Sequence, residues 1–115
     1  VFNSDGSFQN IVGADTWIEP WQGVASEECG TPVAPHDGSG SATYTYDEAA
    51  GTITLDGVGA YLGLAKAING GELASPADAP DSITYMAALS EDGNTLELDI
   101  EVADGGHWSF KLARQ

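Results

Sequence analysis

The sequence predicts an all-β domain: an antiparallel meander of about seven or eight strands forming an up-and-down barrel or a strongly curled sheet, with a β-sandwich as the alternative. Three observations carry this expectation. Residues 94–102 alternate apolar Leu96, Leu98, Ile100 and Val102 with acidic Glu97, Asp99 and Glu101, the period-two pattern of a half-buried strand. The later alternating segments are separated by short turns at 48–51, 90–93 and 104–106, which force antiparallel neighbours. The longest apolar run, 51–73, is interrupted by Gly57, Gly59 and Gly63, and glycines within a strand pattern mark bulges or bends that let a sheet curl.

In chain order, Val1-Phe2-Asn3, the turn Ser4-Asp5-Gly6 and residues 7–12 read as a hairpin, because Asp-Gly suits a tight turn. Phe2, Phe8 and Ile11 are its expected buried contributions. Residues 13–40 have little periodicity, and Pro20, Pro32 and Pro35 prevent a long regular element. An irregular stretch of that length is uncommon in a compact domain, so part of it should pack tightly or carry function. Within it, 17–21 reads as a short strand or a turn of helix, and 27–40 as a surface excursion. Residues 41–47 place Tyr44 and Tyr46 on one face, and 52–56 answer with Ile53 and Leu55 inward, giving a second hairpin.

Residues 57–69 admit two readings. Tyr61, Leu64, Ala65 and Ile68 fall at helical spacing, yet glycines cost a helix interior about 1 kcal/mol each. The reading favours an extended, bulged strand through about Lys66, with a helical turn as the alternative. Residues 70–81 form a loop containing Pro76 and Pro80. The chain then ends in three strands: 82–89 with Ile83 and Tyr85 on one face, 94–102, and 107–113 with Trp108, Phe110 and Leu112 inward.

The 115 residues make one domain, 1–115. Eighteen Asp and Glu against three Lys and Arg give a formal net charge of −15, which disfavours nucleic acid and anionic membrane surfaces as partners. The acids are scattered rather than blocked, as on a solvated acidic surface. Such a balance suits a salty medium and points to a marine or halotolerant source. The alternatives are a cation-holding surface or no role beyond solubility. No apolar run approaches the ~20 residues that span a bilayer. A start at Val1-Phe2-Asn3 without Met or signal segment suggests a piece of a longer protein that lacks N-terminal residues. The single cysteine, Cys29, either pairs with a cysteine elsewhere or is a free thiol.

Chemical motifs are sparse. Two histidines and one cysteine make no zinc pattern, and the Asp-Gly turns lack the alternating acids of a calcium loop. Asp78 and Asp81 read as solvated loop acids rather than cation ligands. Glu97, Asp99 and Glu101 have a spacing open to glycoside hydrolysis, but it is also that of any acidic strand face. Cys29 and His36 share one loop without the rigid support a nucleophile requires, and Gly57-Val58-Gly59 is not followed by a phosphate-loop Lys. The expectation is therefore no catalytic residue, no metal and no cofactor.

Aromatic residues are the better signal. Flat rings meet the apolar faces of sugars, so Trp17, Trp21, Tyr61 and Trp108 are candidates for a stacking platform, and Trp17, Trp21 and Tyr61, with Glu19 and Gln22 as hydroxyl partners, are the candidate ligand-binding residues. The alternative is that Trp17 and Trp21 belong to the core. Trp108 reads as a core residue and His36 as a turn residue.

Several phrases carry a resemblance: Val1-Phe2-Asn3-Ser4-Asp5-Gly6-Ser7-Phe8, Thr16-Trp17, Trp21-Gln22-Gly23, the run from Cys29 to Gly38, the run from Gly59 to Lys66, and Trp108-Ser109-Phe110-Lys111-Leu112. In that order they resemble a secreted β-domain of marine bacteria, often repeated or appended to laminarinase-type glycoside hydrolases. The resemblance implies a lipocalin-like antiparallel barrel or curled sheet, an extracellular or periplasmic location, and a cysteine preceding Val1 as the partner of Cys29. That family's function is poorly defined, so it supplies no catalytic residue.

The functional expectation is a non-catalytic extracellular module binding carbohydrate or another small ligand, as an accessory to a polysaccharide-degrading enzyme. One alternative is a structural or protein-interaction domain. Another is a barrel holding an apolar ligand against Tyr44, Tyr46, Ile53, Leu98 and Phe110. Expected partners are a glycan or small molecule and, through an exposed edge strand, a second copy of the chain.

Overall fold

A computed structural model describes residues 1–115 as an all-β protein with antiparallel strands throughout. Ten short strands occur in chain order: β1 (Ser7–Phe8), β2 (Thr16–Ile18), β3 (Glu28–Gly30), β4 (Ala42–Asp47), β5 (Thr52–Asp56), β6 (Ala67–Ile68), β7 (Gly71–Glu72), β8 (Ser82–Leu89), β9 (Thr95–Glu101) and β10 (His107–Ala113). Six of them form one sheet in the order β1-β4-β5-β8-β9-β10, while β2-β3 and β6-β7 are separate ribbons. The strand count exceeds the expected seven or eight, and β3 and β7 lie in segments read as a surface excursion and a loop. No pairing joins β10 back to β1, so the sheet is open, with these two strands as its edges.

The hairpins form where turn chemistry and alternation agree. Tyr44 and Tyr46 oppose Leu55 and Ile53 across β4 and β5, and Leu96, Leu98 and Ile100 oppose Leu112, Phe110 and Trp108 across β9 and β10. The N-terminal hairpin is short: Phe2 bridges Phe8, and β1 then pairs with β4. Phe8 is buried, but Phe2 is 37% and Ile11 69% exposed, so two of the three residues expected inside this hairpin are not.

Only 14 residues are buried, because one face of the sheet is covered and the other lies open to water. The cover is the segment 57–69. It is neither the expected bulged strand nor a helix: it runs irregularly until the two-residue β6 and sets Ala60, Leu62 and Ala67 against Ile53, Leu55, Ile83, Tyr85, Leu98 and Ile100. Two glycines explain the departure. Gly59 and Gly63 hold φ values of +86° and +77°, where a Cβ would collide with the Pro35 carbonyl and with the Phe110 ring. Each bends the chain while allowing a close approach that no other residue permits. The fully buried Tyr85 reaches up from β8, and its hydroxyl accepts the Leu62 amide at 3.0 Å, tying cover to sheet. Burial pushes the Tyr85 phenol up to about 12. The resulting two layers account for a molecule only 22 Å across in its shortest direction.

The stretch 13–40 is more ordered than its composition suggests. Trp17 pairs in register with Cys29 between β2 and β3, followed by a 3-10 turn at Pro20–Gln22. His36, expected as a turn residue, does close a turn onto Val33, yet is also buried.

Candidate ligand-binding site

The Pro20–Gln22 turn begins at extended Glu19, where Pro20 supplies a φ suited to the first position and needs no amide partner. Gln22 stabilises the turn: its amide donates to the Glu19 carbonyl at 2.8 Å, and its side-chain oxygen accepts the Glu19 amide at 3.2 Å. Gly23, at φ 100°, ends it. This frame points the Glu19 carboxylate into a mixed cluster. One oxygen accepts the Trp21 indole N–H at 3.1 Å and the other accepts Lys66 Nζ at 3.1 Å.

Lys66 is the hub. Its ammonium also lies 3.9 Å from a Glu72 oxygen and 5.7 Å from the centroid of the Trp108 ring, within range of a cation–π attraction. The Trp108 indole N–H donates to the other Glu72 oxygen at 2.8 Å. Two carboxylates therefore flank one ammonium, and each carries an indole. The arrangement draws together the turn after β2, the covering segment, β7 and β10. Its inner half is shielded, with the Glu19 side chain 12% and Lys66 21% exposed, and its outer half is open, with Glu72 42% exposed.

A second arm runs inward from Trp21. The His36 ring stands edge-on to Trp21 at 5.4 Å and tilts against Tyr61 at 5.9 Å. Tyr61 is positioned by Asn10, whose side chain donates to the Tyr61 carbonyl at 2.9 Å and accepts its amide at 3.2 Å. Burial raises the Tyr61 phenol and lowers the His36 imidazole, which favours the neutral ring. His36 Nδ1 is buried without a hydrogen-bond partner.

Of the five residues singled out from the sequence, Glu19, Trp21 and Gln22 form one unit, and Tyr61 joins it through His36. Trp17 stands apart on β2, 55% exposed, and neither a hydrogen bond nor an aromatic pair links it to Trp21. It is not a core residue. Lys66 and Glu72 were not expected here, and Trp108, a stacking candidate read as core, joins them. Trp108 lies on the inward side of β10 but remains 37% exposed, because it sits at the strand's start, beyond the covering segment's apolar residues. Nothing in the spacing signals the cluster: Glu19 and Lys66 are 47 residues apart, and Glu72 and Trp108 are 36 apart.

On the uncovered face, Asp99 Oδ1 lies 2.6 Å from His107 Nδ1, and Asp99 Oδ2 accepts the Ser109 hydroxyl at 2.7 Å. The Ser109 bond, and then His107, hold Asp99 below the usual carboxylate range, while Asp99 raises His107. Because the serine addresses the carboxylate rather than the imidazole, the three do not form a nucleophile–base relay. Asp99 and Ser109 border an open trough of about 570 Å³ with Met86 and Lys111. On the covered face, a cleft of about 150 Å³ remains among Phe2, Tyr44, Tyr46, Ile53, Leu89 and Leu96. It adjoins a second open cleft of about 210 Å³, with which it shares Phe2, Leu89 and Leu96. Leu98 and Phe110, expected to line such an interior, lie outside this cleft, and Phe110 packs under Gly63.

Comparison with protein-family models, with curated proteins and with solved structures returns no match to this chain.

Proposed function

We propose that the chain is a non-catalytic extracellular module, built on a lipocalin-like curled sheet, whose Lys66 face binds carbohydrate as an accessory to a polysaccharide-degrading enzyme. The observation that carries this reading is the Trp108 indole, held by Glu72 and placed beside the Lys66 ammonium while its ring stays partly open to solvent. A fixed aromatic face next to partly exposed donors and acceptors complements a sugar ring, which presents apolar C–H groups on its face and hydroxyls around its edge. Pre-organisation of these side chains by one another lowers the entropy lost on binding. The net charge of −15 narrows the ligand to neutral polysaccharide, since anionic chains would be repelled.

Affinity electrophoresis and calorimetry on laminarin and agarose, with alginate as the anionic control, test the reading. Retardation by a neutral glycan should weaken about tenfold or more in Trp108→Ala and be reduced in Glu72→Gln. Loss confined to Trp17→Ala would move the site to β2. No retardation by any neutral glycan would overturn the reading. A second reading, a protein-interaction domain, draws on the uncovered sheet face, where Met86 is 57% exposed at the edge of the trough.

A further inference from the structure

The longest unpaired stretch of backbone in the sheet is the outer edge of β10. Main-chain bonds from Arg114 to Asn94 and from Val102 to Gly106, both 2.8 Å, set the phase of the β9–β10 ladder. Even-numbered residues of β10 face β9. His107, Ser109, Lys111 and Ala113 therefore direct their N–H and C=O groups away from the sheet. All four residues are exposed, and no strand pairs with this side of β10. The opposite edge differs: β1 is two residues long and is already bridged through Phe8 to Phe2. An uncovered edge of this length is a template for another strand.

Charge marks the same strand. Of three Lys and Arg in the chain, Lys111 lies on β10 and Arg114 directly follows it, with His107 at its start. Lys111 Nζ is 3.4 Å from a Glu97 oxygen, and His107 rests on Asp99. The acids of β9 are thus partly compensated along this border, in a molecule that elsewhere is overwhelmingly negative. Lysine on an edge strand commonly discourages pairing, but here its charge already has a partner within its own chain.

We propose that β10 is a self-association edge, on which β10 of a second copy pairs antiparallel about a two-fold axis at Phe110. That register sets Ser109 opposite the partner's Lys111 and His107 opposite the partner's Ala113, as hydrogen-bonded pairs in the required phase. On the covered side it places Phe110 beside the partner's Phe110 and Trp108 beside the partner's Leu112. Moving the axis to Ser109 brings His107 against the partner's Lys111, and moving it to Lys111 sets two lysines face to face. Like charges directly opposite destabilise a strand pair, and the Phe110 axis is the one that pairs the whole of β10, 107–113, without them. The two open sheets would become one continuous sheet, with Glu97 and Asp99 of each copy paired to Lys111 and His107 of the same copy. This inference does not depend on glycan binding at Lys66, which titration of a monomeric variant reads separately.

Sedimentation equilibrium over a wide concentration range, in reducing buffer so that Cys29 contributes no disulfide, should show reversible dimers. They should strengthen with added salt, as screening relieves the repulsion between two acidic bodies. Amide hydrogen exchange should show Ser109 and Lys111 gaining protection with concentration. Ser109→Pro removes one outward N–H without breaking a β9 bond, and Ser109→Lys sets like charges opposite the partner's Lys111. Each should remain folded by circular dichroism and weaken dimerisation about tenfold or more. A monomer at every concentration and salt would overturn the proposal, as would a dimer indifferent to both substitutions. Protection of these amides only on adding an extended peptide of alternating apolar and acidic residues would also overturn it, assigning the edge to a foreign strand.

Discussion

Replacing Tyr85 with Phe isolates the bond that fastens the covering segment to the sheet. The phenol is fully buried and its oxygen accepts the buried Leu62 amide at 3.0 Å. Tyr85→Phe removes the acceptor and leaves that N–H without a partner, a loss of about 1–3 kcal/mol at pH 7. The same hydroxyl links stability to alkaline pH. Its folded value, about 12, lies above the ordinary 10.0 because burial disfavours the phenolate. The unfolded chain therefore releases this proton first as pH rises. The stabilising contribution is full below pH 10 and is lost as pH climbs toward 12, to an extent of up to about 3 kcal/mol. Urea unfolding of both proteins from neutral pH to pH 12 provides the assay. The Phe variant should be less stable at pH 7, and the difference should close or reverse at the alkaline end. A difference that stays constant with pH, or no loss at pH 7, would refute the assignment of Tyr85 as a neutral, buried acceptor.

Three other outcomes are expected. Gly63→Ala should cost about 2–4 kcal/mol in thermal or urea unfolding, since a Cβ at positive φ would drive into the Phe110 ring; an unchanged midpoint would contradict the packing. Lys66→Met should cost about 1–3 kcal/mol by leaving the shielded Glu19 carboxylate unpaired, and the further change Glu19→Gln should recover part of that loss; additivity in the double-mutant cycle would refute the pair. The two histidines should titrate on opposite sides of 6.5 by NMR, His36 lower through burial and His107 higher through Asp99. His36 thus favours stability that declines as pH falls below 6.5. His107 contributes in the opposite sense, fully present below 6.5 and lost as pH rises through its raised value. Asp99→Asn should return His107 toward the ordinary value, and a reversed order of the two midpoints would be inconsistent with the structure.

The strands β4, β5, β8, β9 and β10 were legible because alternation and turn residues are local properties, readable within a few positions. The same locality explains the failures. The segment 57–69 has both apolar and glycine signals, and only its landing place, over Tyr85 and beneath Pro35, decides between strand, helix and irregular cover. Glu19, Trp21 and Gln22 were recognisable as a polar aromatic turn. Their partners Lys66 and Glu72 were not, because charge pairing across dozens of residues leaves no periodic trace, and nothing local ties Trp108, a stacking candidate read as core, to them.

By itself, the sequence determined the β class, the hairpin turns, the inward faces of the main strands and the acidic charge. Each follows from residue type and short-range spacing. Tertiary structure alone decided that the sheet stays open at β10, that His36 is buried while Trp17 is exposed, and that the chain's one shielded ammonium gathers two carboxylates and two indoles. Those outcomes depend on which distant segments can be covered together at one face, and a glycine that admits a neighbouring ring or carbonyl controls that covering as strongly as any apolar side chain.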